Sequence, residues 1–416
     1  MLSIVNYKYG KDCIAQLNDW YYGRNWPTVY IFYNGEKAYV GETLDAIRRT
    51  EQHLVDKEFN QFTNVCFISD KIYNKSVILD LEAFLIKYIG ADGSKKLLNI
   101  NAGIVDHNYF YKEVYEDDFK VIWQMLIEKG VVKNTLDYIE KSELYKYSPY
   151  KSLNMEQMNT IVEILKGIAN LNKPSNKSLI QVIGGAGTGK TILAVYLVKL
   201  LIDLNKNKLN LISLESERAQ QIYNISKKIF DINKIGFVVP MKQLRETMKR
   251  VFNSIDGLDS SYILSPSEVI NKHYDLLIVD ESHRLYKNEN PPRGAIKSFK
   301  DINQQLMGNQ YTGTATDLTQ LDWIVKCSKI QVLFYDSSQE IRRTDIGEKR
   351  FNVICNPKLY QKLELHSQMR CVGGNGYYEY VKKIIESTDL TVSDYRFIRN
   401  YDVKVFDSIV GLYSNI

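Results

Sequence analysis

Residues 179–193 read L-I-Q-V-I-G-G-A-G-T-G-K-T-I-L, and the chemistry this spacing offers is phosphate binding. Gly184, Gly185, Gly187 and Gly189 let successive backbone N–H groups turn inward without Cβ clashes, and Thr188 completes the loop. A helix opening at Lys190 adds the partial positive charge of its N-terminus. Lys190 is spaced to reach β- and γ-phosphates, and the Thr191 hydroxyl to hold Mg²⁺. An apolar, β-rich run precedes the loop and an apolar run of helical character follows it. That is the strand–loop–helix setting the chemistry needs, so ATP and Mg²⁺ are the expected cofactors.

The matching acids lie about 90 residues downstream, where 274–284 read Y-D-L-L-I-V-D-E-S-H-R. Leu276 to Val279 predict a buried parallel strand. Asp280 and Glu281 then stand at its C-terminal end, where α/β proteins bind ligands. Asp280 is expected in the Mg²⁺ shell with Thr191, and Glu281 is expected to orient the attacking water.

Further segments resemble superfamily 1 helicases. L-N-M-E-Q at 153–157 is similar to the element ahead of their phosphate loop, which implies that Gln157 reads adenine. After the predicted strand 330–336, the resemblance implies that Gln339 senses the γ-phosphate. L-E-L-H-S-Q-M-R-C at 363–371 resembles the start of a second RecA lobe, with Arg370 aimed at the γ-phosphate. With D-E-S-H-R-L at 280–285, T-Q-L-D-W at 319–323 and R-R-T-D-I at 342–346, residues 152–400 resemble the P-loop helicase-like domain shared with Schlafen proteins. About 55 residues follow Leu363, fewer than the roughly 120–150 of a RecA lobe. The expectation is a truncated second lobe, completed by a protein partner or a longer product.

A second constellation lies near the N-terminus. T-V-Y-I-F-Y-N-G-E-K-A-Y-V-G at 28–41 predicts two strands around an Asn34-Gly35 turn. A helix carrying Arg49 and His53 should follow, then a strand at 64–69 and a helix at 77–90 that contains Glu82. Arg49 and His53, four apart, share one helix face. This pattern resembles the GIY-YIG nuclease family over about residues 28–101, with V-Y at 29–30 and Y-V-G at 39–41. Thr28 stands where the family has glycine, and valine replaces isoleucine at Val29 and Val40. The resemblance implies Tyr30 or Tyr39 near the attacking water, His53 assisting proton transfer, and Glu82 as the metal-binding glutamate. It also implies a role for the late asparagine, Asn99, with Asn101 as the second candidate. One carboxylate suffices for hydrated Mg²⁺, and Arg49 can clamp a phosphate in bidentate fashion.

These sites need elements to hold them. The pattern predicts an α/β chain: a small α/β nuclease-like domain over 1–111, and a helical connector over 112–150. A P-loop parallel sheet with helices on both faces follows over 151–361, and the incomplete second lobe over 362–416. Residues 1–27 read as a leader packed on the first domain, and 208–214 as a strand after the phosphate-loop helix. At 416 residues the chain is too long for one ordinary core. Five scattered cysteines without C-x-x-C pairs fit a reducing cytoplasm and exclude a zinc ribbon or disulfide framework. The longest apolar stretch, 192–204, is broken by Lys199 and is too short to span a bilayer. A net charge of +5 permits nucleic-acid binding without demanding it.

The expected activity is therefore Mg²⁺-dependent cleavage of nucleic acid, DNA ahead of RNA, coupled to ATP-driven engagement of the strand. The family-level implication is foreign DNA as target. The alternative is a nucleotide-gated regulatory or nucleic-acid-binding protein whose nuclease fold is inactive.

Overall fold

In the computed structural model, the described residues are 2–100, 109–171, 176–206, 217–229, 232–288, 293–314, 317–339, 342–369, 374–386, 404 and 406–414. The first sheet contains β1 (Ser3–Lys8), β2 (Thr28–Tyr33), β3 (Lys37–Thr43), β4 (Asn64–Ser69) and β5 (Lys96–Leu97), in the order β1-β4-β2-β3-β5. β2 is central and buried along its whole length, as its β-branched and aromatic run dictates. Around it lie α1 (Asp12–Asp19), α2 (Ala46–Val55) and α3 (Lys75–Asp92). α2 and α3 start where Asp45 and Asn74 cap the amides of Arg48 and Val77.

Two sequence expectations change here. Residues 1–27 are not a leader: Ser3–Lys8 form an edge strand antiparallel to β4, and Trp20 donates to Ser3 Oγ at 2.9 Å. The β2–β3 turn uses Asn34 through its side chain, whose Oδ1 accepts from the amides of Glu36 and Lys37 at 2.8 Å. Gly35 keeps a negative φ, so the turn is not the two-residue type that Asn-Gly favours.

The connector forms α4 (Lys112–Glu128), α5 (Leu136–Lys141) and α6 (Glu143–Lys146). Past α6, buried Tyr150 ties the connector to both sheets. Its hydroxyl donates to Leu97 O at 2.9 Å, and its ring packs where a Cβ on Gly90 would fall 2.5 Å away. The same ring lies 5.8 Å from Lys199 Nζ, which is buried in an ion pair with Asp203. One apolar core consequently runs from the first sheet through the connector to one face of the second sheet.

The second sheet is wholly parallel: β6 (Leu179–Gly184), β7 (Ile235–Val238), β8 (Ile263–Leu264), β9 (Tyr274–Val279), β10 (Ser328–Tyr335) and β11 (Leu359–Leu365), in the order β11-β6-β10-β9-β7-β8. Its helices are α7 (Met155–Leu171), α8 (Lys190–Asn205), α9 (Glu217–Ser226), α10 (Lys242–Asn253), α11 (Arg293–Met307), α12 (Gln320–Lys326), α13 (Glu348–Cys355) and α14 (Gly374–Ile385). β10 shows why both faces are covered. Ile330, Val332 and Phe334 join the core under α7 and α8, while Leu333 and Tyr335 join Phe299, Trp323 and Phe351 on the other side.

Residues 359–365 correct the expected boundary. They do not open a second lobe at 362 but form the sixth strand of this sheet, parallel to β6 with Leu363 beside Val182. Their alternating exposure is that of an edge strand. The strand expected at 208–214, Asn101 and Arg370 lie outside the described residues.

Candidate functional site

The order of the second sheet sets the geometry of the phosphate site. β6 delivers the loop, β9 delivers the acidic pair, and β10 lies between them. The carboxyl ends of all three strands therefore converge on one cleft of about 1190 Å³, lined by Gly187, Gly189, Lys190, Thr191, Glu281 and Gln339 among others. Gly187 and Gly189 both take φ +83°, the left-handed conformation that glycine tolerates. Gly184, Gly185 and Thr188 complete the turn, with Thr188 donating to Gly185 O at 3.0 Å.

Lys190 and Thr191 reach different strand ends, β10 and β9. Lys190 Nζ donates to the carbonyls of Gly184 and Gly185 at 2.6 and 2.8 Å and pairs with Asp336 at 3.0 Å. Thr191 Oγ1 donates to Asp280 Oδ2 at 2.8 Å. The two residues expected to hold Mg²⁺ thus touch, and Asp280 Oδ1 is buried without a hydrogen-bond partner. Hard oxygens from a hydroxyl and a buried carboxylate fit Mg²⁺. Burial and the neighbouring Glu281 charge push the Asp280 carboxyl well above the usual carboxylate range.

Glu281 takes φ +49°, strained for a side-chain-bearing residue. Burial alone would raise its pKa, but His283 and the Lys190 charge hold it low, so it stays an acceptor. His283 is fully buried. Its Nδ1 accepts from Asp336 N at 3.3 Å, which leaves the proton on Nε2, 3.0 Å from Glu281 Oε2. That second contact has ion-pair distance but lacks hydrogen-bond alignment.

Gln157 packs on the phosphate loop. Its Nε2 donates to Thr188 O at 3.1 Å and its Oε1 accepts from Asn154 N at 3.2 Å. The amide is buried against the phosphate loop and braces it. Gln339 lines the cleft, with its amide on Asp336 at 2.7 Å. Past β11, Gln368 donates to Ala186 O and Met369 N to Gly187 O, so the segment ahead of Arg370 crosses the loop. Glu156 fixes that crossing through the amides of His366 and Ser367. Asp336 and His283 had no assigned role in the sequence. An acid closing an apolar strand next to S-S-Q was the available signal for Asp336.

The N-terminal constellation gathers on the face of β2 and β3 beneath α2. Tyr30 Oη lies 3.1 Å from both Arg49 Nε and His53 Nε2. Tyr39 stacks near Tyr30 with centroids 6.5 Å apart. The charge of Glu82, from α3, is felt by both phenols. Gly41 faces Tyr30 across the hairpin, where a Cβ would fall 2.3 Å from the hydroxyl. That clash is the physical reason for the glycine in Y-V-G. Thr28 begins β2, its hydroxyl turned onto Trp26 O. Asn99 does not join the group: its amide makes two bonds, 2.9 and 2.8 Å, to the N–H and C=O of Val40. It positions the strand that carries Tyr39.

Burial, then the desolvation-independent push of the Arg49 cation, lowers His53 from 6.5 to about 3. At neutral pH the imidazole is a neutral partner for Tyr30, with one ring N–H and one acceptor nitrogen, and is not an imidazolium acid. The sign for stability follows. Between about 3 and 6.5 the unfolded chain binds a proton at His53 that the folded chain refuses. His53 therefore contributes full stability above 6.5 and loses it as pH falls toward 3. In His53→Leu the acid limb of melting temperature against pH should flatten. An unchanged limb would place the acid sensitivity elsewhere.

Residues 177–416 match the Schlafen group 3 DNA/RNA helicase domain. No curated protein matches the chain. Among solved structures, a pair of Pif1 helicases coordinating unwinding at forked double-stranded DNA has 10% identity over 61% of this chain and 53% of that chain, with a TM-score of 0.27. Pif1 helicase from Bacteroides in complex with ADP-AlF3 and single-stranded DNA has 12% identity over 59% and 51%, with a TM-score of 0.25. Domain III of the Thermotoga maritima replication initiation protein DnaA has 12% identity over 56% and 72%, with a TM-score of 0.23. The chain spans about half the length of the two Pif1 structures it matches. Among the described residues, no helix is long and apolar enough to cross a membrane.

Proposed function

The chain belongs to the Schlafen group 3 DNA/RNA helicase domain family, and on that premise we propose an ATP-hydrolysing, nucleic-acid-engaging enzyme that carries a Mg²⁺-dependent nuclease of the GIY-YIG type. The observation that carries the ATPase reading is the Thr191–Asp280 contact at 2.8 Å, made across the strand that separates the loop from the acidic pair. Lys190 exchanges its loop carbonyls for phosphate oxygens. Glu281, strained and held ionised, orients the attacking water. Gln339 and Asp336 stand beside it, where a change in phosphate charge is felt first. Thr191 and Asp280 are the residues that would hold Mg²⁺, which supplies charge neutralisation on the phosphates.

For nucleic acid we propose cleavage at the Tyr30, Tyr39, Arg49, His53 and Glu82 group. Arg49 offers charge to the phosphate, and Glu82 is the single carboxylate for Mg²⁺. Burial raises both phenols far above the usual tyrosine range, so Tyr30 and Tyr39 act as neutral phenols that orient water. DNA is preferred over RNA as substrate, and the cytoplasm as location.

The second reading, a nucleotide-gated binding protein with an inactive nuclease fold, is favoured by one observation. Tyr30 is 1% exposed and His53 5%, so these two rings are closed to bulk solvent, while Arg49 and Glu82 are half-buried. ATP turnover with and without single-stranded DNA, together with metal-dependent plasmid nicking, tests the first reading. DNA-stimulated hydrolysis that Glu281→Gln abolishes and nicking that Glu82→Ala abolishes are the expected result, and ATP binding without nicking supports the second.

A further inference from the structure

The cleft above the phosphate loop has a wall that comes from the connector. Tyr147 and Lys151, between α6 and α7, line the same cavity as Gly187, Lys190, Thr191 and Glu281. We infer that this wall belongs to the nucleotide site: Tyr147 offers a ring face to the base of a nucleoside triphosphate, and Lys151 offers a cation to it. The inference rests on the phosphate-loop reading above and deepens it, because it places part of the site in the link to the N-terminal domain.

Lys151 is poised for an anionic or strongly polar ligand. Its Nζ donates to Lys146 O at 3.2 Å and lies 4.7 Å from the Tyr145 ring centroid. Lys87 of α3 lies 5.2 Å from the same ring. Among the described residues no carboxylate forms an ion pair with Lys151. Burial, then the Lys87 charge, lowers its pKa to about 8. A half-buried ammonium facing a cleft in this state gains most when an acceptor from a ligand reaches it.

The wall is also pre-organised, which removes ordering cost on binding. Ser148 and Tyr150 are buried, Ser148 Oγ accepts from Tyr150 N at 3.2 Å, and the Tyr150 hydroxyl is anchored on Leu97 O. Glu143, an acid that lines the same cleft, is paired with Arg250 at 2.9 Å and accepts from Thr247. Negative charge on this wall is thus neutralised while Lys151 keeps its own. Lys87 shares α3 with Glu82, so a ligand on Lys151 lies one aromatic ring from the helix that carries the nuclease carboxylate.

The test uses the 416-residue chain and equilibrium binding of ATP and of inorganic tripolyphosphate. Base–aromatic stacking predicts that Tyr147→Ala weakens ATP about fivefold or more and leaves tripolyphosphate unchanged. Tyr147→Phe, which keeps the ring, should bind ATP as the parent does. Lys151→Met should weaken ATP about tenfold. Matching circular dichroism and melting curves establish that each variant is folded. If Lys190→Ala loses ATP while Tyr147→Ala and Lys151→Met bind like the parent, the connector wall is not part of the site and the phosphate-loop reading stands. If Lys190→Ala binds ATP like the parent, the phosphate-loop reading itself is overturned. Variants of the wall that lose single-stranded DNA and keep ATP would overturn the inference and assign the wall to nucleic acid.

Discussion

Replacing Lys190 by alanine is expected to abolish ATP binding at concentrations that just saturate the parent. Two charge-assisted contacts to phosphate, at about 1.5–3 kcal/mol each, correspond to a loss of about 10²–10⁴-fold in affinity. The resting contacts of Lys190 make the experiment interpretable. Its ammonium bridges Gly184 O, Gly185 O and Asp336, and it is 5% exposed, so truncation also removes a buried ion pair. Breaking such a pair can cost about 3–5 kcal/mol of stability by leaving a buried charge uncompensated. Here Asp336 keeps three other donors, Ser338 N, Ser338 Oγ and Gln339 Nε2, so the folded state should survive. A double variant with Asp336→Asn removes the orphaned charge altogether. If it melts like the parent and still fails to bind ATP, the loss is a binding effect. Glu281→Gln supplies the contrast: it should retain binding and lose turnover, because the role proposed for the strained carboxylate is to orient water and not to hold the phosphates. Parent-like affinity in Lys190→Ala would remove the assignment of this loop.

Much of the second sheet is legible because its signals are local. Glycines at the required positions, Lys190-Thr191 and the run of four apolar residues before Asp280 each carry their meaning within a few residues. The hairpin and the α2 and α3 spans of the first sheet are local in the same way. β1 is not legible because S-I-V-N-Y-K mixes apolar residues with Asn6 and Lys8, and its partner β4 lies on the far side of β2 and β3 in sequence. The sheet that β11 joins is hidden for a related reason. L-Y-Q-K-L-E-L alternates as an edge strand should, but nothing in the segment says which sheet supplies the edge. Its partner, β6, is specified only by the parallel packing of Leu363 and Leu365 on Val182 and Gly184.

Site residues divide along the same line. Thr191 and Asp280 were paired by spacing rules and do touch. Gln157, assigned to adenine by resemblance, spends its amide on Thr188 and Asn154. Asn99, assigned to chemistry, holds the backbone of Val40. Both are amides whose work is decided by what lies within 3 Å, which residue type does not reveal. Tyr147 and Lys151 had no local signal at all. Their place on the cleft follows from Tyr150 anchoring the connector between Leu97 and α8. That contact exists only once both sheets are assembled.

The largest effect expected at the N-terminal site is that Glu82→Ala brings metal-dependent plasmid nicking to background. A single carboxylate leaves no second side chain to retain a hydrated Mg²⁺, which already keeps several waters of its own. Arg49→Ala should cost about 10²–10³-fold, the usual loss when a donor aimed at developing charge is removed. Arg49 has a second duty: its Nε holds the Tyr30 hydroxyl at 3.1 Å, opposite His53. Arg49→Lys therefore separates the two contributions. It keeps the charge and loses the planar fork that meets both phosphate and phenol, so it should fall between parent and alanine. Tyr30 is buried and packs against Gly41, which holds its ring independently of Arg49. Loss of Arg49 should then leave Tyr30 in place and cost rate with little cost in melting temperature. If Glu82→Ala nicks as fast as the parent, the carboxylate holds no essential metal. The same result with Arg49→Ala would leave this group as a closed aromatic core, and any nicking would come from elsewhere in the preparation.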